Sequence, residues 1–304
     1  MSTDRMQTVE TVAELRERVA GWKREGLRVG LVPTMGNLHA GHYSLVRLMR
    51  GHADRVVASV FVNPTQFGPD EDFARYPRPP QADTDGLAAA GCDLLWMPSV
   101  EAMYPLGTAA AVQVRVPGIT EVLDGAHRPG HFDGVCTVVA RLFNQVRPDA
   151  AAFGRKDYQQ LAVIRHMVAD LAFDIDLVAA GTLREDDGLA MSSRNQYLSP
   201  EERARAPEIH RTLLAMREAA LAGEEREAVE AAAVARLREA GFMVDYAVLR
   251  TPALAVPEAS SGPRVALVAA RLGATRLIDN IEFALPARAG AAAGVSQRRS
   301  DPIL

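Results

Sequence analysis

Over the first 180 residues, short continuous apolar runs alternate with stretches whose apolar residues recur every three or four positions. Residues 27–32 are rich in branched aliphatics and stop at Pro33, which predicts a short buried strand. A turn carrying Gly36, His39, Gly41 and His42 follows, and Leu45, Leu48 and Met49 then mark a helix. Residues 56–62 read as a continuously apolar central parallel strand, ended by Asn63-Pro64. The Pro-rich stretch 66–80 is long for a loop and is therefore a functional candidate. The alternation continues with a helix over 81–90, a strand over 93–97, a helix over 135–146 and a strand over 150–153. Leu161, Ile164, Val168 and Leu171 then form one helical stripe, and 174–178 is a further strand. This order predicts an α/β fold, a Rossmann-like parallel sheet with helices on both faces.

Beyond about Arg184 the pattern changes. Ser199-Pro200-Glu201-Glu202 reads as a helix start, with Ser199 as N-cap, Pro200 in the first turn and Glu202 closing a capping box. A second helix is expected over 225–240, with strands over 244–249, 265–270 and 275–281. The division expected is a Rossmann-like domain over 1–183, a smaller α+β C-terminal domain over 184–286, and a flexible Ala/Gly-rich tail over 287–304. No internal repeat is visible.

Composition narrows the setting. The chain has 304 residues, 48% hydrophobic and 24% charged, which suits a folded protein and argues against disorder. A formal net charge of −4 gives no general attraction to nucleic acid or to an anionic membrane, so a polyphosphate ligand needs a local cluster of donors. No run of about 18 apolar residues predicts a transmembrane helix, and the polar N-terminus lacks a signal-peptide core. Cys92 and Cys136 stand apart with no metal-like spacing. Reduced thiols in a cytoplasmic protein are the expectation, a disulfide the alternative.

Three strand-to-helix or inter-element junctions carry chemistry. In Pro33-Thr34-Met35-Gly36-Asn37-Leu38-His39-Ala40-Gly41-His42, the glycines allow close backbone approach and a helix N-terminus offers unpaired N–H groups. Two imidazoles three residues apart can donate hydrogen bonds to a phosphate and, if protonated, offset its charge. A glycine turn with two surface histidines is the plainer alternative. In Phe153-Gly154-Arg155-Lys156-Asp157-Tyr158-Gln159-Gln160, Lys156 sits at a helix start, Gln160 follows one turn later, and Asp157 can cap the helix or hold Lys156. In Met191-Ser192-Ser193-Arg194-Asn195, two hydroxyls and a guanidinium form a phosphate cradle, or else a polar linker. Their combination in an acidic protein is what favours a polyphosphate site.

These stretches resemble the HIGH-motif nucleotidyltransferase-related superfamily and, more specifically, the pantoate–β-alanine ligase family. The likeness extends through Phe61-Val62-Asn63-Pro64-Thr65-Gln66-Phe67, Tyr76-Pro77-Arg78, His131-Phe132-Asp133-Gly134-Val135 and Arg276-Leu277-Ile278-Asp279-Asn280, over roughly residues 8–283. It implies ATP-dependent condensation of (R)-pantoate with β-alanine to pantothenate, AMP and pyrophosphate through a pantoyl adenylate, with Mg2+. The resemblance puts ATP against Met35, Gly36, Asn37, Leu38, His39, Ala40, Gly41 and His42, against Gly154, Arg155, Lys156 and Asp157, and against Leu183, Met191, Ser192, Ser193 and Arg194. It makes His42, His39, Lys156 and Arg194 the catalytic group. Gln66 and Gln160 match the pantoate glutamines, Gln66 also lying near β-alanine, with Asn63, Phe67 and His131 as further contributors. Metal ligands stay unassigned. The likeness also implies a homodimer, with no nucleic-acid or membrane partner.

Four positions depart from the family pattern: Arg155 stands where Glu is common, Asn37 and Ala40 replace Ala and Glu, and Tyr43 replaces Leu. The nearest alternative function is a nucleotidyltransferase acting on a phosphate substrate. The glutamine pair and the Asn63-Pro64-Thr65-Gln66 loop favour a hydroxy-acid pocket instead.

Overall fold

The computed structural model describes residues 6–68, 73 and 79–286. The Tyr76-Pro77-Arg78 motif, much of the 66–80 loop and the 287–304 tail lie outside them. In the first layer system β1 (Gln7–Val9), β2 (Val29–Thr34), β3 (Arg55–Val60), β4 (Leu94–Trp96), β5 (Ala150–Gly154) and β6 (Asp176–Ala180) form one parallel sheet in the order β1-β4-β3-β2-β5-β6. Side chains alternate across it with period two. Leu31, Val57, Leu94, Trp96, Ala151 and Phe153 pack on one face with α1 (Val12–Arg24), α6 (His131–Val146) and α7 (Tyr158–Asp170). Val32, Val56, Ala58, Leu95, Ala150 and Ala152 pack on the other with α2 (Ala40–Met49) and α3 (Pro80–Ala90). Short helices α4 (Val100–Met103) and α5 (Asp124–His127) interrupt the connection between β4 and α6.

The chain departs from β2 to β3 on one side, and β5 lies on β2's other side, so the crevice between the C-terminal ends of β2 and β5 is a topological switch point, where open α/β sheets bind ligands. Two differences from the sequence expectation matter here. β2 runs through Pro33, because that residue turns its missing N–H toward β5, where the ladder already ends at Leu31. β1 and α1 are unforeseen. The β1 strand has only three residues, and α1 buries only Leu15, Val19 and Trp22, although a capping box between Thr11 and Glu14 announces its start.

The smaller domain packs α9 (Glu208–Ala222) and α10 (Arg226–Glu239) on an antiparallel sheet of β7 (Met243–Arg250), β8 (Gly262–Leu272) and β9 (Thr275–Leu285). The Ser199–Glu202 capping box is formed, but it starts only the short helix α8 (Pro200–Arg205). Pro207 separates it from α9, a helix the sequence pattern did not resolve. Leu171, assigned to the α7 stripe, instead ends that helix and is 50% exposed, since the chain turns there.

The opposite face of the small sheet docks on the large domain. Val265, Leu267 and Leu254 bury Tyr158 from α7. Arg276 on β9 reaches Asp124 at 2.6 Å and Asp245 at 2.7 Å, and the Tyr246 hydroxyl donates to the same Asp124 carboxylate at 2.9 Å. Both cysteines are free and buried, with their thiols pushed up to about 12 by burial. Among the described residues, no helix is long and apolar enough to cross a membrane.

Candidate active site

The His39-Ala40-Gly41-His42 turn stands at the β2 end of the switch point. His39 is the N-cap of α2: its Nδ1 accepts from Gly41 N at 3.1 Å, while His42 Nδ1 accepts from His39 N at 3.3 Å. A capping box made of two imidazoles satisfies helix N–H groups that acids or hydroxyls usually take. It also fixes the rings. With each Nδ1 an acceptor, both neutral rings are assigned as Nε2–H tautomers. Burial, with Lys156 nearby, pushes the His39 pKa down to about 4, and burial with His39 pushes His42 down to about 3. The positive charge allowed for these rings from sequence is therefore absent near neutral pH. They are neutral donors, their rings tilted 51° to each other with centroids 4.2 Å apart.

The backbone before them is held by a residue that the sequence pattern did not single out. Asp83 on α3 is 3% exposed, and its carboxylate accepts from Asn37 N at 2.8 Å and Leu38 N at 2.7 Å. Asn37 has φ 52, a left-handed conformation that Asn tolerates better than most residues. At Gly36, φ 88, a Cβ would come within 3.1 Å of the Asp83 carboxylate. Only the Asp83-Thr84-Asp85 run could have signalled this. An acid in the first turn of a helix reads as a dipole partner, not as a clamp on a distant loop.

A cavity of about 220 Å³ opens beside the turn. His39, Gly41, His42 and Met35 line it from β2 and α2; Gly154, Lys156, Asp157 and Gln160 from the β5–α7 junction; Leu183, Met191, Ser192, Ser193 and Arg194 from the inter-domain connection. It runs into a cleft of about 810 Å³ between the domains, the two sharing Lys156, Asp157, Ser192 and Arg194. Thus the three junctions singled out in the sequence converge on one space. Gly36, Asn37, Leu38 and Ala40 build the turn without lining the cavity, and Arg155 turns away from it. Arg155 forms an ion pair with Glu282 on β9 of the small domain.

Lys156, with a side chain 19% exposed, lies 3.6 Å from the Asp157 carboxylate. Asp157 is the N-cap of α7 but makes no side-chain cap bond, so of its two anticipated roles the structure provides the ion pair. The serine hydroxyls also have structural duties. Ser192 Oγ accepts from Arg194 N at 3.3 Å, and Ser193 Oγ donates to Asn37 O at 2.9 Å, tying the third junction to the first.

Gln66 is 8% exposed and lines the cavity; its Oε1 accepts from Asn63 Nδ2 at 3.1 Å and its Nε2 contacts Met35 Sδ at 2.9 Å. Asn63 is 1% exposed and stands behind Gln66, outside the lining. Its amide also donates to Gly134 O, and its Oδ1 accepts from the Tyr104 hydroxyl at 2.6 Å. Gly134 permits this: a Cβ there would meet Thr65 O at 2.3 Å. Phe67 packs against Phe73 with ring centroids 5.3 Å apart and tilted by 60°, and His131 Nδ1 lies 2.8 Å from Gln66 O, in the wall of the larger cleft. The rest of the lining is largely apolar, with Phe61 and with Val135, Val138, Val139 and Leu142 on α6. Spacing of three to four marks those α6 residues as core in a sequence, and nothing distinguishes a core stripe from a ligand wall until the helix is placed. Among the described residues, no group of three or more His, Cys, Asp or Glu could hold a metal ion.

The sequence profile of pantoate–β-alanine ligases matches residues 7–282. Pantothenate synthetase from Stenotrophomonas maltophilia (strain K279a) is 67% identical over 278 residues, covering 91% of this chain and all of that protein. The same enzyme from Xanthomonas campestris pv. campestris (strain B100) is 65% identical over 283 residues, again 91% of this chain and all of the relative. The crystal structure of pantothenate synthetase from Thermus thermophilus superposes with TM-score 0.84 at 51% identity, covering 91% of this chain and 99% of that one. The pantoate–β-alanine ligase of Francisella tularensis, solved with β-γ ATP and β-alanine, superposes with TM-score 0.77 at 29% identity over 91% and 97% of the two chains. With its profile, its full-length relatives and its fold in agreement, this chain belongs to the pantoate–β-alanine ligase family, enzymes that condense pantoate with β-alanine at the expense of ATP.

Proposed function

We propose that the residues gathered in this cleft divide the two steps of the ligase reaction between them. In the first, a pantoate carboxylate oxygen bonds to the α-phosphorus of ATP as the bridge to the β-phosphate breaks and pyrophosphate leaves. In the second, the β-alanine amine bonds to the acyl carbon, the bond to AMP breaks, and the amine loses a proton to give the amide. Activation is needed because a carboxylate oxygen is a poor leaving group and AMP is a good one.

The observation that carries this reading is the mixed lining of the cavity: apolar Phe61, Val138, Val139 and Leu142 share it with two glutamine amides and four phosphate donors. The apolar lining suits the dimethyl carbon of pantoate. Gln66 and Gln160 serve its hydroxyl and carboxylate oxygens, since an amide both donates and accepts. Asn63 acts one step back, orienting Gln66. Nε2–H of His39 and His42 donate to α- and β-phosphate oxygens, and Lys156 and Arg194 neutralise the departing pyrophosphate. Gly154, Asp157, Leu183 and Met191 flank the adenosine. The enclosure keeps the mixed anhydride from water.

Mg2+ would come with ATP, because the ion is ordinarily held through one or two carboxylates and the substrate's phosphates. Asp157, which lines both the cavity and the cleft, would be a carboxylate for it, and the ion would add positive charge where pyrophosphate departs. Family likeness also supports a homodimer working in the cytoplasm. Incubating the purified chain with ATP, pantoate and β-alanine should yield AMP and pantothenate only when both acids are present. Nucleotide transfer to a phosphate acceptor, with no amide product, would overturn the reading.

A further inference from the structure

Asn280 belongs to β9 in the small domain, yet both of its amide hydrogens serve the large one. Nδ2 donates to Arg155 O and to Lys156 O, each at 2.9 Å, and the residue is only 6% exposed. These are consecutive carbonyls ahead of α7, which starts at Tyr158 with Asp157 as its cap, so the helix ladder does not fix them. They belong to the short connection from which the Lys156 side chain leaves the backbone. A carboxamide suits this position, because one planar nitrogen with two hydrogens can reach two neighbouring carbonyls, whereas a carboxylate has nothing to donate.

Asn280 is itself fixed. Its N–H donates to Asp279 Oδ1 at 2.8 Å, and the Asp279 carboxylate receives both Arg184 guanidinium nitrogens, at 2.6 and 3.0 Å. Two residues further on, Glu282 accepts from the Tyr158 hydroxyl at 3.1 Å and pairs with Arg155. β9 therefore holds the Lys156 junction at its backbone, at the residue before and at the first residue of the helix after.

We propose that Asn280 is a positioning residue for the adenylation step. Its carboxamide sets where the Lys156 ammonium stands, so docking of the small domain and placement of the phosphate cation are one event. This rests on the reading of Lys156 as the cation facing pyrophosphate.

A double-mutant cycle tests it on the full chain. Pantoate-dependent pyrophosphate release in a single turnover is measured for Asn280→Ala, Lys156→Ala and the pair. Asn280→Ala should slow adenylation about tenfold to a hundredfold, the scale of a misplacement near 1 Å, with the KM for β-alanine unchanged. In the Lys156→Ala background it should add less than about a factor of two, because the group it positions is gone. Losses that multiply, or an Asn280→Ala enzyme as fast as the unaltered chain, would overturn the proposal. A Lys156→Ala enzyme of undiminished rate would instead overturn the role given to Lys156. Asn280→Asp, of the same size but presenting a carboxylate to the two carbonyls, repeats the cycle if the alanine variant does not fold. Failure of both variants to fold would assign Asn280 to general stability and reject the positioning role.

Discussion

Each imidazole of the His39/His42 pair commits Nδ1 to a backbone N–H and keeps Nε2–H for the cavity. Neutral donors of fixed tautomer need no proton uptake to meet a phosphate. The arrangement has a cost in acid. In the unfolded chain an imidazole takes up a proton near pH 6.5, whereas in the fold these two do so only at about 4 and about 3. As pH falls through 6.5 the unfolded state alone gains protons, and stability is lost progressively until the folded values are reached. The melting temperature should thus fall between about pH 6.5 and pH 5 less steeply in His39→Gln/His42→Gln than in the unaltered chain. Equal slopes in thermal melts at matched pH would show that other groups govern acid lability.

At the scale of elements, strand ends bring the chemistry and helices aim it. β2, β5 and β6 deliver the turn, the Lys156 junction and the Leu183 segment to one edge. α3 then acts on the turn through Asp83, and α6 supplies the apolar wall. Asp83→Ala strands the Asn37 and Leu38 N–H groups, and a buried donor left unpaired costs about 1–3 kcal/mol. The turn should loosen, raising the KM for ATP more than that for pantoate. Steady-state kinetics with each substrate varied in turn measures this, and a selective effect on pantoate would contradict it.

For the whole molecule, the cleft exists only because the small sheet docks on the large domain. Arg276 on the small sheet is one buried polar tie, its side chain 12% exposed and shared between Asp124 of the large domain and Asp245 of its own sheet. Removing one member of such a buried network leaves uncompensated charge and costs about 3–5 kcal/mol. Arg276→Ala should lower the midpoint of denaturant unfolding accordingly. Arg276→Lys should recover little of it, because a single ammonium cannot present two separate edges to two carboxylates. Full recovery by lysine would mean that the charge of Arg276, not its two-edged geometry, makes its contribution. Arg155–Glu282 is more exposed, at 46% and 38% of the two side chains, and contributes correspondingly less stability.

The sequence by itself determined the alternation of strands and helices, the change of character near Arg184, and the three junctions rich in phosphate donors. All of these depend on local periodicity, capping and turn chemistry. It did not resolve β1, which is too short for a pattern, or the break before α9 at Pro207. Tertiary structure alone decided the rest. Strand order put β2 beside β5, so that His42 and Lys156 share a cavity across more than a hundred residues of chain. Burial, which a sequence does not specify, made the histidines neutral. The partners of Asn37, Arg155 and Lys156 are Asp83, Glu282 and Asn280, remote residues whose contacts depend on how packed layers meet. The donors of the site are therefore written in local sequence, and their charge state and aim are set by packing.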